Sequence, residues 1–415
     1  MQTITLTIDR LGHHGDGIAA GPDGALFAAM TLPGEVVRGV LTGDRLVAPD
    51  ILHPSPDRVP APCPHYRACG GCALQHASDG FVARWKAGVV TQALAAHDIT
   101  ARVQGVATSP PRSRRRAALA GRRTKTGVLV GFHARGSDQI VAIRDCQVLA
   151  PAILGLIPQL EALVARAGTR KGELTLAVTL SETGADLAVT GGATLTPALF
   201  ADLAAFAETA DLARLTWGDE MIATRRPPQQ RMGLARVTPP PGAFLQATPQ
   251  GQAALVASVV QATEGAARIA DLFSGCGTFA LPLARRAEVH AVEGEAAMLA
   301  ALDRGWRDSP GLHRVTHETR DLFRRPLLPD ELARFDAVVI DPPRAGALAQ
   351  CEQIAASRLS RLVYVSCNAV TFARDAAVLA AAGFTLSTLR VVDQFRWSPH
   401  IELVAVLERP AAANR

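Results

Sequence analysis

One cysteine of this chain, Cys367, stands where a sulfur nucleophile would be expected. It follows the apolar run Leu362–Val365, which has the length and composition of a buried parallel strand, and residues 369–382 after it indicate a helix. Open α/β sheets bind ligands at the carboxyl ends of their strands, and helix-end amides there lower a thiol pKa. We therefore expect Cys367 to be a thiolate nucleophile, although a lone cysteine is more often a small buried side chain.

A glycine turn and an acidic residue indicate a nucleotide-like ligand. Gly275 and Gly277 follow a strand-like segment, and glycine lets a ligand approach the backbone where a Cβ would clash. Glu293 ends a second strand-like segment about 20 residues further on, the spacing typical of an acid that binds a ribose diol. This motif alone leaves a nicotinamide dinucleotide open.

Two further acids are predicted at strand ends. Asp341 follows the apolar run 337–340 and precedes a rigid Pro-Pro turn, and Asp321 ends another predicted strand, placed to meet an adenine edge. Together with Cys367 and the glycine turn, these groups would line one edge of one parallel sheet. The sequence therefore predicts an α/β domain with a ligand site at that edge.

Three cysteines in the first third of the chain have spacing suited to a metal centre. Cys63, Cys69 and Cys72 lie on one glycine-containing loop, and Cys146 is the best candidate for a fourth ligand. Zinc and iron–sulfur clusters both accept four thiolates, so the spacing leaves both open.

Length and composition limit the classes of protein. At 415 residues the chain is expected to form two or three domains, and its 48% hydrophobic and 20% charged residues indicate a globular protein. It has no apolar run of the roughly 18–20 residues that span a bilayer and no signal-peptide pattern. Seven cysteines then favour a reducing cytosol. The basic run 112–125 either binds phosphate or forms a solvated face.

Five dispersed motifs resemble one family. Asp-Pro-Pro-Arg-Ala-Gly at 341–346, Ser-Cys-Asn at 366–368 and Pro-His-Ile-Glu at 399–402 are similar to motifs of the bacterial 5-methyluridine RNA methyltransferases. The loop 63–76 resembles the iron–sulfur loop of the same enzymes, and the glycine turn resembles that of class I S-adenosylmethionine methyltransferases.

The resemblance implies a multi-domain α/β architecture. It would have a TRAM-like small β-barrel at 1–55, related to oligonucleotide-binding barrels, and a central RNA-binding α/β domain with the iron–sulfur loop at 56–74 and 107–238. A Rossmann-like class I methyltransferase domain would comprise 75–106 and 239–415. The domains would therefore be interleaved along the chain.

The resemblance also implies residue roles. Cys367 would add to carbon 6 of uracil, and Glu402 would be the general base that removes the carbon-5 proton. Four cysteines, Cys63, Cys69, Cys72 and Cys146, would hold a 4Fe–4S cluster. Contacts to S-adenosylmethionine are expected from the glycine turn and from residues that match the family pattern: Gln246, Phe273, Gly275, Gly277, Thr278, Glu293, Asp321 and Asp341.

The expected partner is RNA, and the protein is expected to be a cytoplasmic monomer without membrane contact. Ribosomal 23S RNA is preferred because a TRAM-like barrel accompanies the large-subunit enzymes of the family, and transfer RNA stays open. Cytosine-5 methylation would use the same thiol addition. A non-catalytic iron–sulfur RNA-binding protein on a methyltransferase scaffold is the alternative from another class.

Overall fold

The computed structural model describes residues 2–22, 24–170 and 172–410 and begins with a six-stranded sheet. Its strand order is β1-β5-β6-β4-β3-β2, and its core contains Ile8, Ala19, Val37 and Leu46. The assignment of this sheet as a TRAM-type barrel stays a prediction. The strands are β1 Gln2–Thr7, β2 Arg10–Leu11, β3 Gly17–Gly21, β4 Gly24–Ala28, β5 Val36–Thr42 and β6 Arg45–His53.

A helix and a short strand follow the cysteine loop. Helix α1 (Asp79–Ala95) begins at Ser78, whose hydroxyl accepts a hydrogen bond from the Phe81 amide at 3.2 Å. Such a cap satisfies one of the free amides at a helix start. The helix buries Val82, Lys86, Val90 and Leu94, which recur every fourth residue along one face. Strand β7 (Val106–Thr108) joins the C-terminal sheet described below.

The central region is a seven-stranded sheet with helices on it. Its order is β10-β9-β8-β11-β12-β13-β14, α3 packs on β8 and β9, and α4 packs on β13 and β14. The strands are β8 Arg116–Arg123, β9 Val128–His133, β10 Ile140–Ala142, β11 Leu174–Ser181, β12 Gly184–Thr190, β13 Arg214–Trp217 and β14 Glu220–Thr224. The helices are α2 Pro151–Gly155, α3 Ile157–Ala167 and α4 Pro197–Thr209.

A hairpin leads into the C-terminal eight-stranded sheet, whose order is β19-β18-β17-β20-β21-β23-β22-β7. The hairpin is β15 Gln230–Met232 and β16 Ala235–Val237. The sheet strands are β17 Arg268–Leu272, β18 Glu288–Glu293, β19 Val315–Thr319, β20 Ala337–Ile340, β21 Arg361–Ser366, β22 Thr385–Asp393 and β23 Leu403–Glu408. The helices are α5 Pro249–Ala262, α6 Ala280–Leu283, α7 Ala296–Arg307, α8 Pro329–Leu332, α9 Leu348–Ala356 and α10 Ala369–Ala381.

Both faces of this sheet are buried in apolar cores, as expected for strands with near-continuous apolar runs. In β21, Leu362 and Tyr364 enter one apolar core while Val363 and Val365 enter the other. Strands β17 to β21 are parallel, and β23 is antiparallel to β21. The carboxyl ends of five strands therefore meet at one edge, where parallel sheets bind ligands.

Helix α1 attaches the early part of the chain to this C-terminal sheet. It packs against α10 and β22, and β7 pairs in parallel with β22 at the sheet edge. None of the helices in the described part of the chain is both long and apolar enough to cross a bilayer.

Candidate active site

A cavity of about 610 Å³ opens at the carboxyl edge of the C-terminal sheet. Residues that the sequence places in separate motifs share its wall. They come from the ends of β17 to β21, from the segment before α5 and from the residue before β23. Those predicted from the sequence are Gln246, Phe273, Gly275, Thr278, Glu293, Asp321, Asp341, Cys367 and Glu402.

Gly277 was predicted to contact the cofactor, but it is not in the cavity wall. Its φ is +97°, and a Cβ there would lie 2.9 Å from side-chain atoms of Leu281 and 3.1 Å from Leu302. The glycine is therefore needed for a left-handed turn and for close packing of the turn on α6 and α7.

Glu293 closes the glycine turn through backbone amides. Its Oε2 accepts from the Gly275 amide at 3.0 Å, and its Oε1 accepts from the Gly294 and Glu295 amides at 2.7 and 3.0 Å. Phe273, directly after β17, has a φ of +59°, a conformation that costs energy for a residue with a side chain. The acid is thus oriented before any ligand binds.

An aromatic pair lies beside Asp321 at the far end of the cavity. The rings of Phe273 and Phe323 lie 5.5 Å apart, and the Asp321 Oδ1 accepts from the Phe323 amide at 3.0 Å. The Phe323 side chain is nearly half exposed. A flat apolar ligand group could stack here, with a carboxylate at its edge.

Cys367 lies between the end of β21 and α10, as predicted, but its pKa is shifted the other way. Burial, and then the charges of Glu402 and Asp341, raise the pKa of the Cys367 thiol to about 11, while Arg344 opposes the shift. This shift opposes the thiolate that the helix amides were expected to favour. Its main cause is the burial of the sulfur, and two nearby carboxyl groups add to it.

The two carboxyl groups themselves have raised pKa values. Burial raises the pKa of Asp341 to about 7. Burial and the neighbouring Asp341 raise the pKa of Glu402 to about 8, and a hydrogen bond from Gln394 opposes that shift. A carboxyl group that titrates near neutral pH can exchange protons with a substrate, as general acid–base catalysis requires.

Two glutamine amides connect these carboxyl groups. Gln394 donates from Nε2 to Glu402 Oε2 at 2.9 Å and to Gln246 Oε1 at 2.5 Å. Gln246 in turn donates from Nε2 to Asp341 Oδ2 at 3.4 Å. Glu402, Gln394, Gln246 and Asp341 thus form one hydrogen-bonded series.

Part of the basic run 112–125 holds this site together. Arg115 donates from Nε to the Gln246 carbonyl at 3.1 Å, and Arg116 donates from Nη1 to the Leu245 carbonyl at 2.5 Å. The guanidinium of Arg116 also lies 5.0 Å from the centre of the exposed Phe244 ring. Neither predicted alternative, a phosphate site or a solvated face, fits Arg115, since carbonyl groups of the C-terminal domain bind it in the interior.

The four predicted metal-binding cysteines line a second cavity, of about 920 Å³. The Gly71 amide donates to the Cys69 sulfur at 3.4 Å, and the Val148 amide donates to the Cys146 sulfur at 3.5 Å. Within residues 2–22, 24–170 and 172–410, no three His, Cys, Asp or Glu side chains lie close enough together to hold a single metal ion.

The cysteine loop is bonded directly to the segment that carries Glu402. The amides of Ala73 and Leu74 both donate to the Trp397 carbonyl, at 2.8 and 3.0 Å. Trp397 has a φ of +59°, so this turn is held in a strained conformation. Lys86 of α1 donates to Asp393 at 2.5 Å and to the Phe395 carbonyl at 3.2 Å.

Three contributors to the site escaped the sequence analysis. Arg344 lies in the Asp-Pro-Pro-Arg motif, and its positive charge lowers the pKa of Cys367. Gln394 and Lys86 are buried polar residues whose partners are distant in the sequence. The only sequence signal for Gln394 is its position a few residues before the Pro-His-Ile-Glu motif.

Comparisons with known proteins agree with this geometry. The family described as tRNA (Uracil-5-)-methyltransferase matches residues 311–410. An uncharacterized RNA methyltransferase of Brucella suis is 43% identical over 408 residues, covering 98% of each chain. A 23S rRNA (uracil(1939)-C(5))-methyltransferase of Shewanella amazonensis is 33% identical over 430 residues, covering 98% of this chain and 96% of the relative.

A solved structure shares the fold over nearly the whole chain. The Pyrococcus abyssi tRNA (uracil-54, C5)-methyltransferase in complex with S-adenosyl-L-homocysteine superposes with a TM-score of 0.75 at 21% identity. The match covers 97% of this chain and 99% of that one, which confirms the α/β methyltransferase architecture. Given the full-length relatives and this site, the chain belongs to the family of S-adenosylmethionine-dependent RNA (uracil-5-)-methyltransferases.

Proposed function

We propose that this protein transfers a methyl group from S-adenosylmethionine to carbon 5 of a uridine in RNA. The observation that carries the proposal is the shared cavity, in which Cys367, Asp341 and Glu402 face the glycine turn and Glu293. A nucleophile, a base and a nucleotide-type binding turn in one cavity are the parts that this reaction needs.

The residues of the cavity fit S-adenosylmethionine. Gly275 leaves the backbone open to a ligand, Glu293 is oriented for a ribose diol, and the aromatic pair Phe273 and Phe323 offers an adenine a stacking surface. The related Pyrococcus fold was solved with S-adenosyl-L-homocysteine. When bound, S-adenosylmethionine would supply an electrophilic methyl group.

Cys367 is needed because carbon 5 of uracil is a poor nucleophile. Once the thiol has lost its proton to water, its sulfur forms a bond to carbon 6, and the electron pair of the carbon 5–carbon 6 double bond moves towards carbon 5. Carbon 5 would then bond to the methyl group, while the electron pair of the broken sulfur–methyl bond would stay with the departing S-adenosyl-L-homocysteine. Arg344 assists by stabilising the negative charge on the thiolate, against the opposing effect of Glu402 and Asp341.

Glu402 completes the reaction by accepting the remaining proton of carbon 5. The electron pair of that carbon–hydrogen bond restores the double bond, and the bond between sulfur and carbon 6 breaks to release Cys367. Because the pKa of Glu402 is raised to about 8, the carboxyl must lose its own proton before it can act as a base.

The preferred RNA is 23S ribosomal RNA. Support comes from the Shewanella relative, which is named for that substrate and aligns with 98% of this chain. A transfer RNA is the second candidate, because the matching family and the Pyrococcus structure are named for transfer RNA. We further propose that the enzyme acts as a monomer in the cytoplasm.

We also propose that Cys63, Cys69, Cys72 and Cys146 hold a 4Fe–4S cluster. All four line one cavity, and two of the sulfurs accept backbone N–H bonds of the kind that tune such clusters. A cluster binds each cysteine through a different iron atom, so its ligands need not converge on one point. Its proposed role is structural, because methyl transfer needs no radical step.

Methyl transfer with labelled S-adenosylmethionine tests the proposed function. Unmodified transcripts of 23S rRNA fragments and of transfer RNAs serve as substrates, and digestion identifies the product nucleoside. We expect 5-methyluridine in the 23S fragment, no product with Cys367→Ala, and normal turnover with Cys351→Ala, whose thiol is buried in the sheet core. Labelled 5-methylcytosine, or undiminished methylation by Cys367→Ala, would contradict the proposal.

A further inference from the structure

Gln394 is a buried glutamine whose amide uses both of its donors and one of its two acceptor lone pairs. It follows β22, and only 2% of its surface is exposed. Its Oε1 accepts from the Ala247 amide at 2.7 Å, while its Nε2 donates to Gln246 Oε1 and Glu402 Oε2. Two donors and one acceptor are thus satisfied by partners from two other segments of the chain.

The direction of this amide is fixed by a backbone group. The Ala247 N–H can only donate, so the oxygen of Gln394 must face it and the nitrogen must face Glu402. Gln246 is oriented in the same way. Because its oxygen accepts a hydrogen bond from Gln394, its nitrogen must face Asp341. One backbone N–H therefore directs N–H donors to both buried carboxyl groups.

The side chain also has little room to move. A Cβ built on Gly251, in the first turn of α5, would lie only 2.5 Å from the Gln394 Cβ and 3.2 Å from its Oε1. The backbone of α5 thus lies directly against this glutamine. Close packing of this kind holds one rotamer and so fixes the amide in space.

We propose that Gln394 is the positioning residue of Glu402. It holds one carboxylate oxygen, Oε2, leaves Oε1 for the substrate, and connects the base to the segment that includes Gln246. The inference rests on the proposed function only for the identity of Glu402 as the base. The contacts of Gln394 themselves are independent of which substrate enters the cavity.

An N–H donor stabilises the ionised form of a carboxyl group. Gln394 therefore acts against burial and Asp341, which both raise the pKa of Glu402. The titratable groups that interact with Glu402 in the described residues are Asp341, after β20, and Cys367, after β21. Removing the donor should leave Glu402 harder to ionise and free to rotate.

Two variants test this assignment with different changes. Gln394→Leu removes the donor, and Gln394→Glu keeps the size of the side chain but places an oxygen against Glu402. The matched control is Gln350→Leu, since Gln350 is equally buried but bonds only the Leu327 backbone, away from the cavity. Each variant is measured as the full-length protein, with S-adenosylmethionine and RNA in single-turnover reactions.

We expect both Gln394 variants to accumulate the covalent protein–RNA adduct and to release product roughly 10-fold or more slowly, since the proton-removal step loses its oriented base. The RNA concentration at half-saturation should stay near that of the wild type. Gln350→Leu should behave as the wild type. Unchanged release rates in either Gln394 variant, or an equal slowing in Gln350→Leu, would overturn the assignment.

A second measurement needs no RNA and separates this inference from the proposed function. Infrared titration of the Glu402 carboxyl, in protein labelled with ¹³C-glutamate and assigned with Glu402→Gln, should give a higher pKa in Gln394→Leu than in the wild type. An identical titration would refute the positioning role. Failure of the wild type to methylate any uridine would refute the proposed function while this titration still decides the role of Gln394.

Discussion

At the scale of single residues, Glu402 is a buried carboxyl group whose orientation is fixed before substrate binds. In the proposed mechanism, its only task is to accept the carbon-5 proton after methyl transfer, which releases Cys367 from carbon 6. Its side chain is 3% exposed, and Gln394 holds one of its oxygens. If the base is missing, the reaction should therefore stop after the sulfur–carbon bond has formed.

Glu402→Gln should accumulate a covalent protein–RNA adduct. The amide still occupies the site but cannot take the proton, so elimination fails while thiol addition and methyl transfer proceed. Denaturing gel electrophoresis with labelled RNA would show the adduct as a slowly migrating band. Glu408→Gln is the matched control, because Glu408 lies at the far end of β23, where it pairs with Arg361. A result with no slow band would remove Glu402 as the base.

The raised pKa of Glu402 also predicts a pH dependence of stability. An unfolded glutamate ionises near its ordinary pKa of 4.5, whereas the folded protein keeps this proton up to about pH 8. Because the native state binds the additional proton, the contribution of Glu402 to stability is present below pH 4.5 and is lost as pH rises to about 8.

Glu402→Gln should therefore lose less stability than the wild type over that pH range. Urea denaturation midpoints, measured at intervals from pH 4.5 to pH 8.5, would give the two slopes. Parallel slopes for the two proteins would mean that the Glu402 pKa is not raised by folding.

The sequence predicted the location of Cys367 better than its chemistry. Its position after a buried strand follows from the apolar run and the helix pattern, and both are found as expected. Its raised pKa depends on burial and then on Glu402 and Asp341, which lie at the ends of other strands and approach the sulfur only in the folded sheet. Gln394 was missed for the same reason, because its role depends on an amide 147 positions away.

At the scale of elements, helix α1 holds the segment that precedes Glu402. Lys86 and Asp393 form an ion pair of 2.5 Å with side chains that are 0% and 1% exposed. The second carboxylate oxygen of Asp393 has no hydrogen-bond partner in the described residues, so Lys86 is its main compensation. A lysine on the buried face of α1 could not be anticipated without knowledge of Asp393.

Lys86→Met should destabilise the protein by about 3–5 kcal/mol, because it leaves a buried carboxylate without its cation. The double variant Lys86→Met/Asp393→Leu should recover most of the loss, since neither charge is then buried. Arg84 is also on α1 and forms a more exposed ion pair with Asp57, which lies before the helix. Arg84→Met should therefore lower the free energy of unfolding by less than about 1 kcal/mol. Urea denaturation provides the comparison, and equal effects of the two single variants would contradict this account.

At the scale of the whole molecule, contacts between the regions of the chain are made by residues whose partners could not be identified from the sequence. The basic run 112–125 suggested contact with phosphate, yet Arg115 binds carbonyl and amide oxygens of residues beyond 229. An arginine in a run of arginines gives no local sign of the acceptor that it meets. The contacts between the regions therefore could not be predicted from the sequence.

The four cysteines of the second cavity should bind iron and sulfide as a unit. Protein purified without oxygen should be brown and contain both elements, and Cys69→Ala should lose them together. Cys276→Ala is the control, since that thiol is buried among apolar residues of the C-terminal domain. Elemental analysis and the visible absorption spectrum are the measurements. A colourless wild-type protein that contains zinc would contradict the cluster.

The buried pair of Lys86 and Asp393 has a consequence for biosynthesis. The two residues are 307 positions apart, so a ribosome has made most of the protein before the lysine can meet its partner. Until then, the face of α1 that belongs in the interior carries an unneutralised charge. A product truncated before Asp393 would also lack Glu402. The C-terminal sheet can therefore bury α1 without cost only after Asp393 has been made, and products shortened before it would be poorly folded.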